Sequence, residues 1–276
     1  MELPKQLQIS YTSYTPKPQN NYHNEFFKKI FYINLDRRPD RDQNVRNILN
    51  RLGLDAERIS AVDGSKLNPN EISRDIITEN GIKDALDKKQ KVYVPLTMGG
   101  IGCAMSHRLA WKKILDQKLE NALILEDDIR INDDFYNNLL NMKNDWPDSY
   151  DIIFLGYHPS SIKYIYGNVN YTFVKSDKVF GLFGYIVSYN GAKKLLDIFP
   201  IDEQIDTEIH KNFNKIDAYL VDPKKRIILS DPSEYAKEFG TDIQKRTDNK
   251  SRNNNDFDTY IPIILIIIIF VLIILA

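Results

Sequence analysis

Residues 122–131 read ALILEDDIRI, and the fold turns on them. Four apolar residues run into three consecutive carboxylates, Glu126, Asp127 and Asp128, and Ile129 follows. A continuous apolar run, rather than an alternating one, marks a strand buried on both faces of a parallel sheet. The acids then fall at the carboxyl end of that strand, where open α/β sheets hold their ligands. Three adjacent negative charges repel one another unless a cation or hydrogen-bond donors balance them. On an extended chain Glu126 and Asp128 point the same way, so a divalent ion bridging them to a phosphate is one reading. An acidic turn capping the next helix is the other, since Asp133 and Asp134 follow closely and Asp is a favoured cap. On this stretch alone both stay open.

Upstream, residues 29–35 (KIFYINL) read as a first buried strand, rich in aromatic and β-branched residues. Asp36 is placed to cap a helix that takes Pro39 in its first turn and runs through Val45, Ile48, Leu49 and Leu52 to Gly53. Arg37, Arg38 and Arg41 stand where that helix begins. They form either a phosphate site, shared by guanidiniums and a helix N-terminus, or a solvated basic face. Residues 58–64 (RISAVDG) suggest a short strand ending in an Asp-Gly turn. Asp63 in such a turn either binds a ribose hydroxyl or serves the turn alone. Residues 71–80 are expected to form a helix ended by Gly81.

Residues 97–115 (TMGGIGCAMSHRLAWKKIL) bring Gly99, Gly100 and Gly102 ahead of an apolar helix face. These glycines permit close backbone approach to a ligand, but the Lys-Ser/Thr pair of a phosphate loop is missing. Ser106 and His107, adjacent on a helix, point about 100 degrees apart and are no nucleophile–base pair by sequence alone. Cys103 reads as a small buried residue. Downstream, a helix is expected over 133–142, a strand over 150–156 and an irregular stretch over 157–178. A Gly-containing strand over 180–189 comes next, then a helix capped by Asn190. Asp202, Glu203 and Asp206 open a further helix. They are either ordinary helix-start acids or the source of a base remote from the first acid cluster. Late strands fall within 218–229.

Lys plus Arg (37) nearly balances Asp plus Glu (38), for a net charge of -1, so nothing argues for a nucleic-acid partner. One cysteine excludes an internal disulfide framework, and the four histidines show no zinc-ligand spacing. The ends differ from the middle. Residues 1–28 read as a mobile polar leader without a secretory signal, residues 29–246 as the folded domain, and residues 247–259 as a polar tether. Residues 260–276 (YIPIILIIIIFVLIILA) are almost wholly aliphatic and would rise about 24 Å as a helix, near the span of a bilayer core. A transmembrane tail anchor is expected. Basic residues on its N-terminal side alone leave the folded domain facing the cytosol.

The order of these segments resembles glycosyltransferase family 25, which includes bacterial lipooligosaccharide glycosyltransferases and collagen hydroxylysine galactosyltransferases. The resemblance rests on FYINLDRRPDR (31–41), ERISAVDG (57–64), PLTMGGIGCAMSHRLAW (95–111), LILEDDIRI (123–131), GYIVSYNGAKKLL (184–196) and PIDEQI (200–205). Residues 241–244 (TDIQ) are similar to the family's C-terminal Ser-Asp pair, with Thr substituted. The resemblance implies an α/β fold of the GT-A type with a mostly parallel sheet. It implies a UDP-sugar donor, with galactose or glucose as the hexose, and Mn2+ (or Mg2+) as cofactor. The acceptor would be a glycan or a hydroxylysine-containing, collagen-like protein, and the reaction an inverting displacement. It assigns the metal to Glu126 and Asp128, the nucleotide side to Asn34, Arg37, Arg38, Asp63, Gly102, Ser106 and His107, and the base to Asp202, with Glu203 and Asp206 behind it.

Two departures stand out. Gly100 occupies a position where the family often carries an acid, which admits a second reading: a catalytically degenerate, membrane-tethered protein that binds nucleotide sugars or glycans. The terminal apolar segment and the absent signal peptide differ from collagen-modifying relatives and suit a bacterial or viral setting, as does the Asn- and Ile-rich wording. A metal-dependent nuclease or phosphatase is the weakest reading, for want of a basic patch and paired histidines.

Overall fold

The computed structural model describes residues 25–87 and 96–230. Two compact units divide the chain at residue 244, and every described residue belongs to the first. The expected leader over its first 24 residues, the Thr241–Asp242 pair, the tether and the apolar segment 260–276 lie outside the described residues. Within them, no helix is long and apolar enough to cross a membrane.

The residues of the opening stretch form β3 (Asn121–Leu125), buried at every position, as expected of a strand covered on both faces. Its neighbours are β1 (Ile30–Asn34), β2 (Glu57–Ser60) and β8 (Gly184–Ser188). Beyond β8 lie β5 (Ile152–Gly156), β9 (Ala218–Val221), β7 (Phe173–Ser176) and β6 (Ile165–Asn168), completing eight strands in the order β2-β1-β3-β8-β5-β9-β7-β6. Parallel ladders join β2 to β1, β1 to β3 and β5 to β9, and antiparallel ladders make the other four joins. Only β7 and β8 therefore run against the other six, and the sheet is mixed but mostly parallel. A separate two-stranded ribbon pairs β4 (Arg130–Ile131) with β10 (Ile228–Leu229).

Alternation along each strand sends side chains into two cores. Phe31, Ile33, Ile124, Phe154, Tyr185 and Val187 meet α3 (Met98–Asp116), α5 (Tyr189–Leu196) and α6 (Ile205–Lys211) on one face. Ile30, Tyr32, Leu123, Leu125, Ile153 and Ile186 meet α1 (Pro39–Leu52) and α4 (Phe135–Met142) on the other. The result is a three-layer α/β/α sandwich, in which each fully buried Leu, Ile or Phe contributes about 1.5–3 kcal/mol. Helix α1 stops where expected: Gly53 takes the left-handed conformation (φ 65°), and its N–H reaches the carbonyls of Leu49 and Asn50.

Four local expectations are corrected. Asp36 does not cap α1; it lies exposed and binds Arg58 (2.7 Å) and Ser60, while Arg38 takes the cap position. Residues 71–78 form turns, and the helix is α2 (Glu79–Leu86), with Gly81 inside its first turn. Thr78 caps it, and a Cβ at Gly81 would meet the Ile77 side chain at 2.8 Å and the Ile201 carbonyl at 3.0 Å. That contact brings the loop at 201 close, in a parallel bridge to Ile77. Ser188, not Asn190, caps α5, its Oγ accepting from Gly191 N–H (2.9 Å). Residues 157–178 are not irregular, because β6 and β7 form a hairpin at the sheet edge. Its edge strand buries no residue, which hid it from a reading based on apolar runs.

Candidate active site

Because β1, β2 and β3 run parallel, the residues after each of them emerge at one edge of the sheet. Leu35 and Arg37 after β1, Val62 and Asp63 after β2, and the acids after β3 line a single cleft. Its opposite wall is the first half of α3: Gly99, Cys103, Ser106 and His107. Thr97 starts that helix by accepting from Gly100 N–H (3.0 Å).

The three acids differ in burial. Glu126 stays on the ladder through its N–H to Phe183 O (3.2 Å). Asp127 turns inward, with its side chain 9% exposed against 22% for Glu126 and 25% for Asp128. It accepts from Asn34 Nδ2 (2.7 Å) and from the Arg41 guanidinium (3.0 Å), which also lies 3.3 Å from Asp128. Burial still raises Asp127 above the usual carboxylate range, against the pull of Arg41 and Asn34. Asp128 is pushed up to about 7, first by burial and then by the charge of Glu126, with Arg41 opposing. The helix-cap reading of these acids falls away: α4 begins at Phe135, and Asp134 at its cap position makes no side-chain cap bond.

The nucleotide-side residues scatter over different tasks. Asn34 is 1% exposed; its amide donates to Asp127 and to the Arg38 carbonyl (3.1 Å), and its Oδ1 accepts from Arg58 (2.7 and 3.0 Å). It orients Asp127. Arg37 lines the cleft and pairs with Asp63 (3.0 Å). Burial pushes the Asp63 carboxyl up, but Ser65 and Arg37 together outweigh it and hold the group low. Arg38 binds Asp40 (2.7 Å) and is not part of the cleft lining. Gly102 serves the protein's own backbone: a Cβ there would sit 2.6 Å from Val62 O and 2.7 Å from Gly64 N. Ser106 Oγ accepts from Val62 N–H (2.8 Å) and donates to Gly102 O (2.6 Å), tying the Asp63 loop to α3. His107 is 1% exposed, with Nε2 3.1 Å from Glu126 and Nδ1 2.7 Å from the Tyr185 hydroxyl. Burial, reinforced by Glu126, raises the Cys103 thiol far above its usual value, so it stays protonated.

Asp202 is exposed, accepts from the Thr78 hydroxyl, and is not part of the cleft lining. Glu208 fixes this loop by accepting from the N–H groups of Asp202 (2.9 Å) and Glu203 (2.8 Å). Four residues on, Asp206 is partly buried and accepts from Gly181 N–H (3.0 Å). Burial raises its pKa, the bond from Gly181 opposes this, and the charge of Glu126 adds to the rise. Asp206 thus belongs electrostatically with the acid cluster. Gly100 has a structural counterpart: a Cβ there would meet Gln204 Oε1 at 2.7 Å and Nε2 at 2.9 Å. The Gln204 amide occupies the space a side chain at position 100 would take.

Sequence reasoning did not single out Arg41, the buried cation between Asp127 and Asp128. The signal was present, since three acids after one strand called for a cation and three arginines followed its neighbour. It also missed that Cys103, His107 and Glu126 bring one ligand atom each within 4.8 Å of one another, because that grouping joins one turn of α3 to the end of β3.

Comparison with known proteins gives the family. The model of glycosyltransferase family 25 (LPS biosynthesis protein) matches residues 27–209. A glycosyltransferase 25 family member of Aedes aegypti is 32% identical over 250 residues, which cover 82% of this chain and 40% of the relative. Procollagen galactosyltransferase 2 of Homo sapiens is 30% identical over 203 residues, 67% of this chain and 31% of the relative. The chain belongs to glycosyltransferase family 25. It spans less than half the length of these two relatives. Among solved structures, A197 from STIV aligns with a TM-score of 0.37 at 9% identity, over 82% of this chain and 100% of that one. Nothing here rests on that alignment.

Proposed function

We propose that the domain, of the GT-A type, moves a hexose, galactose or glucose, from a UDP-sugar to a hydroxyl of a glycan or a hydroxylysine-containing protein. One observation carries this reading: the cleft at the carboxyl ends of β1, β2 and β3 holds Glu126 and Asp128 on its wall, with Asp127 locked behind them. The donor set fits a hard divalent cation, because the partly exposed carboxylates of Glu126 and Asp128 line one cleft, Arg41 is shared by Asp128 and Asp127, and burial followed by the charge of Glu126 pushes Asp128 toward neutrality. Glu126 and Asp128 would hold Mn2+ or Mg2+, which when bound supplies charge stabilisation to the departing diphosphate.

The remaining work falls to the chain. Asp63, held low and flanked by Arg37, accepts from donor hydroxyls at the nucleotide end. Asp206 takes the proton of the acceptor hydroxyl during a single inverting displacement, and burial raises its pKa in the direction that strengthens a base. Neither Asp206 nor Asp202 is among the residues lining the cleft; we prefer Asp206 for its burial and for the charge it shares with Glu126, whereas Asp202 is exposed and bound to Thr78. The degenerate reading rested on Gly100, and the Gln204 amide beside it argues against a simple vacancy there. The apolar segment 260–276 would tether the domain to a membrane, facing the cytosol.

The test is a donor screen on the full chain, with mass analysis of products from hydroxylysine-peptide and glycan acceptors. Mn2+-dependent transfer that falls at least 100-fold in Asp206→Asn, and less than tenfold in Asp202→Asn, is expected. Metal-dependent UDP binding without turnover across the panel would favour the degenerate reading, and no binding at all would overturn the proposal.

A further inference from the structure

Trp111, Tyr185, His107 and Glu126 form a chain of contacts through the core: Trp111 Nε1 to Tyr185 Oη (3.1 Å), Tyr185 Oη to His107 Nδ1 (2.7 Å), and His107 Nε2 to Glu126 Oε1 (3.1 Å). Trp111 and Tyr185 are 0% exposed and His107 1%, so no bulk water completes their bonding. The direction of the chain follows from donor counting. Indole nitrogen only donates, so the Tyr185 oxygen accepts from Trp111. Among the described residues, His107 Nδ1 is then the only acceptor in reach of the Tyr185 hydroxyl proton. Nδ1 therefore carries the lone pair, and the ring proton sits on Nε2, where it donates to the Glu126 carboxylate. The opposite tautomer would strand the buried Tyr185 proton and face the Nε2 lone pair toward Glu126.

We propose that Trp111, Tyr185 and His107 are positioning residues that fix the Nε2–H tautomer and so aim Glu126 into the cleft. The relay joins β8, two successive turns of α3 and the end of β3, which explains why a polar chain is retained within an apolar core. It also bears on the grouping of Cys103, His107 and Glu126: a protonated Nε2 offers no lone pair, so in this tautomer the trio is not a metal site. The consequence for cation binding rests on the proposed role of Glu126; the tautomer itself does not.

Two measurements separate those claims. In the full metal-free chain with 15N-labelled histidine, long-range 1H–15N spectra, assigned with His107→Gln, should show His107 protonated at Nε2 alone at neutral pH. A signal protonated at Nδ1, or at both nitrogens, would overturn the relay whatever the metal does. In Tyr185→Phe the ring loses its donor at Nδ1 while Glu126 still accepts from Nε2, so the proton should stay on Nε2 and the Nδ1 resonance should move to that of a lone pair without a donor. Phe154→Leu, which trims a ring packed 6.1 Å from Tyr185, should leave the Nδ1 resonance unchanged. By calorimetry with Mn2+ alone, Tyr185→Phe and His107→Ala should bind about 10–100-fold more weakly than the unsubstituted chain. His107→Gln, whose amide places a donor near Nε2, should recover most of that loss. Equal affinity in Tyr185→Phe and the unsubstituted chain would overturn the positioning role. No Mn2+ binding by the unsubstituted chain would sink the metal reading and leave the tautomer result standing.

Discussion

Asp128→Asn should make the metal-free protein more stable, although it removes a residue of the proposed active site. Asp128 goes from an ordinary value of 3.8 to about 7 in the folded chain. A carboxyl raised by folding favours the folded state least when ionised. The penalty is absent below about pH 4, grows as the unfolded chain loses its proton first, and is complete above about pH 7. Roughly three pKa units correspond to about 4 kcal/mol. Asparagine, uncharged like the protonated acid, removes that penalty; the pull of Arg41 at 3.3 Å is already contained in the net shift, and Arg41 keeps Asp127 at 3.0 Å. The expected net gain is up to about 4 kcal/mol at pH 8, or roughly 10 °C in melting temperature for a domain of this size. Urea or thermal unfolding in EDTA, repeated at pH 8 and near pH 4.5, measures it. The gain should shrink toward zero at the acid end. A destabilised variant at pH 8, or a gain that persists unchanged in acid, would refute the electrostatic account of the cluster.

Other substitutions probe the frame around the acids. Asn34→Ala removes the donor to Asp127 and the acceptor for Arg58, and should lower unfolding free energy by about 2–3 kcal/mol in urea titrations. Gly102→Ala forces a Cβ against Val62 O and Gly64 N, and should cost about 1–3 kcal/mol while weakening donor binding through the displaced Asp63 loop. Gly100→Ala collides only with the far end of a flexible side chain, so its stability change should stay within about 1 kcal/mol, and Gln204→Ala should erase even that.

The central strands were legible because burial on both faces writes them as unbroken apolar runs, as in β1, β3 and β5. The acid cluster was legible because three carboxylates cannot follow such a run without a reason. Other features left weaker traces. The edge strand β6 buries no residue and so carries no apolar signature. Residues 71–78 look helical, yet they form turns that bring Ile77 into a bridge with Ile201, a contact 124 residues away in sequence that no local pattern records. The glycines before α3 suggested room for a ligand; Gly102 instead makes room for the loop at Val62–Gly64, and only a tertiary contact could reveal that. His107 came to the nucleotide side through the resemblance and does line the cleft, but its buried partners Trp111 and Tyr185 were indistinguishable in sequence from ordinary core aromatics.

The bend after β3 accounts for the division of labour among the three acids. Asp127 and Asp128 lie on that bend, and one Arg41 nitrogen reaches both carboxylates. Asp127 is the more buried of the two, and Asn34 and Arg41 meet it there. Glu126 and Asp128 are the more exposed members, and burial together with the charge of Glu126 raises Asp128. Asp206 arrives from another element, α6, whose opening residue Gln204 packs on Gly100 of α3, the same helix that carries His107. The carboxylates that would grip a donor and the one that would take a proton are therefore positioned independently. Substitutions at 100 or 204 should shift Asp206 relative to Glu126 without touching either, so in a transfer assay they should change turnover more than donor affinity, whereas Tyr185→Phe should do the reverse.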